Sequence, residues 1–216
     1  MRYALIADLE NSRLVEDRRG LADRLEAAMT ELADLYADDW LAPIASSKGI
    51  DELSSALTRP DRAFEIAVAM NERVWPERFR WALGAGTIDI GLETGDATAL
   101  DGTAFHRAAD ALRRAKDSRL LFTVSLDGVA SGSLGLIEAA AQAHFEFMSD
   151  WKQRQHDFVR AARAQPVQLE IARAFGVTPQ TVSQSLKRAR FDTMVRIEHA
   201  IGQRLAEIGT QLGAQA

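Results

Sequence analysis

Carboxylate side chains follow apolar segments at two places in the first third of the chain. Asp8 lies near the end of the apolar run at residues 3–9, and Asp51 and Glu52 lie in the glycine-containing turn GIDEL at residues 49–53. If both apolar segments are neighbouring strands, these carboxylates converge at one edge of a sheet and could hold a Mg²⁺ ion that bridges nucleotide phosphates. The alternative is that Asp8 caps a turn or the following helix and that Asp51 forms an Asx-turn or a helix cap, and both interpretations stay open.

Polar and basic residues close to those carboxylates in the sequence could bind the phosphates of a nucleotide. The candidates are Asn11, Ser12, Arg13 and Lys48. The loop at 11–13 would offer backbone N–H groups and a cation, and Lys48 would add a second positive charge. The basic run at 113–116 suits a phosphate or a solvated helix end. His106 has no histidine or base-activated serine beside it, so no catalytic residue is assigned.

The segment QLEIARAFGVTPQTVSQSLKR, residues 168–188, has the spacing of a helix-turn-helix. Two short helices that cross steeply need a small residue at their contact and a turn residue that tolerates a left-handed backbone. Ala172 and Gly176 meet these requirements. Thr178 is placed to cap the second helix, with Pro179 in its first turn.

One face of the second predicted helix is rich in amides, hydroxyls and cations. The predicted DNA-binding residues are Thr178, Gln180, Thr181, Ser183, Gln184, Lys187, Arg188 and Arg190. Amide and hydroxyl groups suit base edges in the major groove, whereas lysine and arginine suit phosphates. An ordinary helical hairpin with a solvated polar face is the alternative.

The distribution of charge favours the DNA interpretation. The chain has 216 residues and a net charge of −5, but residues 151–190 hold 8 Lys and Arg against 2 Asp and Glu. A local basic excess of this kind is typical of a module that meets a phosphate backbone. The sequence has no cysteine, which excludes disulfides, thiolate metal sites and a cysteine nucleophile. No apolar run approaches a membrane span, so we expect a soluble cytoplasmic protein with no membrane partner.

Periodicity predicts an α+β domain at residues 1–130 and a helical domain at 131–216. Strands alternate with amphipathic helices up to about residue 126, whereas everything from residue 134 onward is predicted to be helical. In the strand predicted at 78–90, Gly84 and Gly86 share one face and leave room for another backbone or a ligand. The last helix, from Phe191 to Leu212, has an apolar stripe that could pair with a second copy or close the module's own core.

Several segments resemble the SatD family. The opening YALIADLENSRLVEDR at 3–18 has that family's strand-end aspartate, Asn-Ser-Arg segment and Asp-Arg pair, here Asp17 and Arg18. GIDEL at 49–53, RWALGAGTI at 80–88, DGTAFHRAADALRRAK at 101–116 and WKQRQ at 151–155 follow in the family's order. Here Leu53 replaces the aromatic residue of the family's Gly-Asp-Glu-Phe turn.

The resemblance implies a ferredoxin-like βααββαβ core similar to class III cyclase and GGDEF diguanylate cyclase domains, followed by an all-α helix-turn-helix domain. In those enzymes the residues that match Asp8, Asp51 and Glu52 bind metal on a nucleoside triphosphate. Our leading hypothesis is a homodimeric DNA-binding transcription regulator whose first domain dimerises and senses a nucleotide with Mg²⁺. A metal-dependent enzyme of the nucleotidyl-cyclase type is the alternative.

Overall fold

The computed structural model describes residues 1–214, which form five strands and eight α-helices. The elements are β1 (Arg2–Leu9), α1 (Arg18–Leu35), β2 (Trp40–Lys48), β3 (Glu52–Leu57), α2 (Ala63–Val74), β4 (Phe79–Gly86), α3 (Thr103–Ser118), β5 (Phe122–Ser125), α4 (Ser131–Ser149), α5 (Gln153–Ala164), α6 (Gln168–Ala174), α7 (Pro179–Arg188) and α8 (Phe191–Gly213). The predicted α+β class is therefore confirmed. Within the described part of the chain, no helix is both long and apolar enough to cross a membrane.

The sheet has the strand order β2-β3-β1-β4-β5. The pairs β2–β3, β3–β1 and β1–β4 are antiparallel, whereas β4 and β5 are parallel. The order of elements differs from the expected βααββαβ. Only one α-helix, preceded by a short 3-10 turn at Ser12–Leu14, lies between the first two strands. After β4 the chain continues through α3 into β5, which adds a fifth strand beside β4.

The sequence pattern does not predict strand β3, because Ser54 and Ser55 occupy positions where β-branched residues are typical of a strand. Ser55 is fully buried, and its hydroxyl donates to the carbonyl oxygen of Leu5 at 2.7 Å. Ser54 donates to the carbonyl oxygen of Ala97 at 3.2 Å. Each buried hydroxyl thus has a backbone acceptor, which removes most of the cost of placing it in the sheet.

The two faces of the sheet pack against different helices. Phe79, Trp81, Leu83 and Ala85 lie in one apolar cluster with α1, α2 and α4, as the alternation predicts. On the opposite face, a Cβ atom at Gly84 would lie 2.3 Å from the carbonyl oxygen of Ala104 in α3. The space left by the glycines is therefore occupied by the backbone of a helix rather than by a ligand.

The apolar core continues from the sheet into the helical region. Met194, Ile201, Leu205, Ile208 and Leu212 of α8 are buried in the same cluster as β1 and α2. Of the two interpretations of this stripe, the structure shows the second, because α8 packs against α4 and α2 of its own chain.

A charged network links α2, α4, α5 and α8. Arg163 donates to Glu72 at 2.8 Å and to both carboxylate oxygens of Glu198 at 2.7 and 2.9 Å. The Nε2 atom of His144 lies 2.6 Å from the same Glu198 carboxylate. Glu72, His144 and Glu198 are all buried. These contacts hold α5 and α8 of the helical region against α2 and α4.

Candidate functional site

The structure brings two of the three predicted carboxylates together. Asp8 and Glu52 are directly paired in the register of β1 and β3, so their side chains project from the same face of the sheet. Both line a cleft of about 300 Å³ between the sheet and α3, which we call the β1 cleft; its wall also includes Ile6, Ser47, Ser54, Leu112, Arg113 and Lys116.

The cations of the β1 cleft come from α3. The ammonium group of Lys116 lies 2.8 Å from the Asp8 carboxylate, whose side chain is 20% exposed. Arg113 also lines the cleft, although it pairs with Asp110 at 2.8 Å. Of the basic run at 113–116, Arg113 and Lys116 therefore line the cleft with Asp8 and Glu52, whereas Arg114 pairs with Glu138. Periodicity alone could not locate the basic run there, because its position depends on how α3 crosses β1.

Asp51 does not share this environment. It forms an ion pair with Arg18 at 3.5 Å, and Arg18 also donates to the carbonyl oxygen of Ser12 at 2.9 Å. Asp17 caps α1 by accepting a hydrogen bond from the Gly20 N–H at 2.8 Å. The Asp-Arg pair thus fixes the loop after β1 and the turn before β3.

The predicted phosphate ligands Asn11, Ser12 and Arg13 are not among the residues that line the β1 cleft. Asn11 adopts a left-handed backbone at φ 55° and begins the 3-10 turn. Lys48 lies at the rim, 3.8 Å from Glu52. Only Lys48 of these four residues is thus in direct contact with a cleft carboxylate.

The carboxylates of the β1 cleft can be compared with the ligands that the expected Mg²⁺ ion requires. No group of three or more His, Cys, Asp or Glu side chains in residues 1–214 is arranged to hold an ion. Two facing carboxylates nevertheless fit Mg²⁺ that arrives with a nucleotide, since this ion is often bound by one or two carboxylates together with substrate phosphates and water. Asp8 and Glu52 would be its protein ligands.

A second candidate site is formed by α6, α7 and the turn between them. Gly176 has a φ of 62°, and the N–H of Val177 donates to the carbonyl oxygen of Ala172 at 2.9 Å. Val182 and Leu186 of α7 are buried against Ile171 and Ala172 of α6. Thr178 caps α7 by accepting from the Thr181 N–H at 3.2 Å. The small residue, the left-handed turn and the cap are all at the predicted positions.

The outer side of α7, which we call the α7 face, carries most of the predicted DNA-binding residues. They are Gln180, Thr181, Ser183, Gln184, Lys187 and Arg188, and all except the partly buried Thr181 are exposed. The other two predicted residues have structural contacts. The side-chain hydroxyls of Thr178 and Thr181 form a hydrogen bond of 2.9 Å, and the guanidinium of Arg190 lies 4.5 Å from the centroid of the Phe147 ring.

Helix α5 supports this pair of helices. Phe158 of α5 is fully buried and meets the ring of Phe175 edge-on, with 5.0 Å between centroids. Trp151, just before α5, donates from its indole N–H to the carbonyl oxygen of Ala189 at 3.2 Å. Trp151, Phe158 and Ala162, which are at helical spacing, are all buried.

Comparison with family models gives a match to the SatD family over residues 2–201. Because this match spans most of the chain, the protein belongs to the SatD family. Searches of curated proteins and of solved structures returned no match.

Proposed function

We propose that this SatD-family protein binds duplex DNA through a helix-turn-helix formed by α6 and α7 and acts as a transcription regulator. The observation that carries the proposal is the combination of a left-handed turn at Gly176 with an exposed polar row on the following helix. In helix-turn-helix proteins the second helix enters the major groove and its early residues contact base edges.

The side chains of the α7 face divide into two roles. The side chains of Gln180 and Gln184, one helical turn apart, are exposed and make no hydrogen bond to other residues in 1–214, so their amides are available for base edges. Lys187 and Arg188, in the last turn of α7, lack an ion-pair partner in the same range and are assigned to backbone phosphates.

The charge available at this surface is smaller than the composition suggests. Arg163 is engaged with Glu72 and Glu198, Arg173 pairs with Glu170 at 2.7 Å, and Arg190 lies over Phe147. Since few uncommitted cations remain beside α7, one copy would contact few phosphates and bind weakly. We therefore infer that two copies act together as a homodimer on a nearly palindromic site.

Selection from a random duplex library tests the proposal. We expect one enriched sequence, and we expect Gln180→Ala and Gln184→Ala each to weaken binding to it by about 1 to 3 kcal/mol, because each removes a base contact. Binding to unrelated duplex DNA should change little.

The matched control is Gln203→Ala, which removes an exposed amide from α8, away from α7. It should leave affinity unchanged. Equal losses on selected and unrelated DNA for the two α7 variants would contradict the assignment of base contacts.

A second candidate function rests on the β1 cleft. The antiparallel order β2-β3-β1-β4 is the one expected of a ferredoxin-like core, the arrangement that the family resemblance associates with cyclase palm domains. With Asp8 and Glu52 facing each other and Lys116 beside them, the cleft combines metal ligands with a cation for a phosphate. We infer that it binds a nucleoside triphosphate with Mg²⁺.

Calorimetric titration with each Mg²⁺-nucleoside triphosphate tests this second function. Asp8→Asn should abolish binding, whereas Asp51→Asn should not, because Asp51 contacts Arg18 rather than the cleft. Cyclic or linked nucleotide products that disappear in Asp8→Asn would instead establish the enzymatic alternative. Equal binding by both variants would exclude the cleft.

A further inference from the structure

A cavity separate from both sites lies between the sheet region and the helical region. It has a volume of about 480 Å³ and is lined by residues of α1, α2, α5 and α8. This volume is within the range of small-molecule sites, which also occur preferentially where two parts of a fold meet. Its lining therefore determines which ligand it could bind.

Two of the three arginines in this cavity are already paired. Arg73 donates to Glu31 from Nε at 2.8 Å and to the carbonyl oxygen of Ala69 at 2.9 Å. Arg163 is held by Glu72 and Glu198. Both guanidinium groups thus have carboxylate partners within the protein.

Arg160 is the exception. It lines the cavity from α5, yet its guanidinium has neither a hydrogen-bond nor an ion-pair partner in residues 1–214. Burial and the positive charge of Arg73 lower the pKa of Arg160, and the charges of Glu72 and Glu31 compensate only partly. An anion in the cavity could therefore pair with donors that the protein itself does not use.

The remaining lining determines what kind of anion fits. Glu31, Glu65 and Glu72 also line the cavity, and their negative charges would repel a multiply charged group such as a phosphate. Each of these carboxylates is paired, Glu31 with Arg73, Glu65 with Arg62 and Glu72 with Arg163, so Arg160 is the cation of the lining that has no ion-pair partner in residues 1–214. The ligand's charged group should therefore carry a single negative charge.

Apolar side chains form the other part of the wall. They are Leu35, Val68, Ala69, Ala164, Phe191 and Val195. We propose that this cavity binds a small monocarboxylate with an apolar chain, whose carboxylate pairs with Arg160 and whose chain packs between α2 and α8. The planar guanidinium offers two parallel N–H groups that match a carboxylate.

This site is connected to α7 through α5. Arg160 lies two residues after Phe158, whose ring contacts Phe175 in the turn before α7. A ligand whose carboxylate pairs with Arg160 would thus contact α5, the helix that supports the proposed DNA-binding surface. The binding of the carboxylate itself does not depend on the proposed DNA binding.

Thermal unfolding and calorimetric titration of the full chain with hexanoate test the proposal, with hexanol and hexyl phosphate as comparison probes. Hexanoate should bind and raise the unfolding temperature, whereas hexanol and hexyl phosphate should bind at least roughly tenfold more weakly. Preference for hexyl phosphate would overturn the monocarboxylate assignment, and equal binding of hexanol would overturn the role of charge.

Variants locate the site. Arg160→Gln removes no side-chain hydrogen bond or ion pair within residues 1–214, so it should fold normally and weaken hexanoate binding at least roughly tenfold. Arg160→Lys, which keeps the charge without the fork, should be intermediate. The control Arg196→Gln removes an exposed cation of α8 and should bind hexanoate like the unaltered chain. Unchanged binding by Arg160→Gln, or no hexanoate binding by the unaltered chain, would overturn the proposal whatever the outcome with DNA.

Discussion

Glu198 illustrates how a buried charge is tolerated in this protein. Burial alone would raise the pKa of its carboxyl group, but hydrogen bonds from His144 and Arg163, together with the Arg163 charge, lower the pKa from 4.5 to about 2. Burial acts to lower the pKa of Arg163, but the charges and hydrogen bonds of Glu72 and Glu198 raise it above its ordinary value. The ionised form of Glu198 is thus favoured by its partners, and those partners belong to α4 and α5 whereas Glu198 belongs to α8.

This network predicts a pH-dependent contribution to stability. Because the folded-state pKa of Glu198 lies below its value in the unfolded chain, the contribution is complete above pH 4.5 and is lost as the pH falls toward 2. A shift of this size corresponds to roughly 3 kcal/mol. Urea unfolding of Glu198→Gln should therefore show a loss of about that size at pH 7, and the difference from the unaltered chain should shrink toward pH 2.

The control for this measurement is Glu207→Gln, one of the exposed carboxylates of α8, whose side chain is 62% exposed. Its effect should be below about 1 kcal/mol at every pH. A difference between Glu198→Gln and the unaltered chain that stays constant from pH 7 to 2 would contradict the assigned pKa.

The sequence indicates which carboxylates could form a site better than it indicates which groups each of them contacts. Asp8 and Glu52 are found in one cleft as expected, because strand register carries both to the same face of the sheet. Asp51 lies next to Glu52 in the chain but contacts Arg18. Successive residues of a strand point to opposite faces, so a turn with two carboxylates could not indicate which one enters the site.

At the element scale, the connection between α6 and α7 depends on Gly176. Its φ of 62° is in the left-handed region, and no atom lies within 4 Å of the position that a Cβ would take. Gly176→Ala should therefore destabilise the protein by about 1 to 2 kcal/mol through backbone strain rather than through a clash. Chemical denaturation measures this loss directly.

Gly135 is the matched control because it also has open space around the Cβ position, but it lies within α4. Gly135→Ala should stabilise the protein by up to about 1 kcal/mol. A similar effect of both substitutions would show that the turn conformation is not what Gly176 supplies.

The elements themselves follow from their sequence patterns to different degrees. The apolar residues of the amphipathic helices α1, α3 and α5 recur at helical spacing, so the sequence pattern alone predicts these three helices. Asp61 is of a residue type that favours the N-cap of a helix, but Arg62 occupies the N-cap position of α2, and no side chain caps this helix. The packing partner of α8 could not be predicted, since one apolar stripe suits a second copy and the chain's own core equally well.

At the scale of the whole molecule, charge is divided between the two parts of the chain. Residues 1–150 hold 16 Lys and Arg against 26 Asp and Glu, whereas residues 151–216 hold 10 against 5. An acidic first part would be repelled by DNA and would orient the basic end toward it. The continuous core and the Glu72–Arg163–Glu198 contacts hold the two parts together. The sequence alone does not predict these contacts, because they join residues that are far apart in the chain.

Titration of a fluorescent duplex carrying the selected sequence, over a range of salt concentrations, tests DNA binding through α7 most directly. We expect binding at low ionic strength that weakens as the salt concentration increases, and a slope of log affinity against log salt that is smaller by about one in Lys187→Ala. Absence of duplex binding at low salt, or a slope that Lys187→Ala leaves unchanged, would contradict DNA binding through α7.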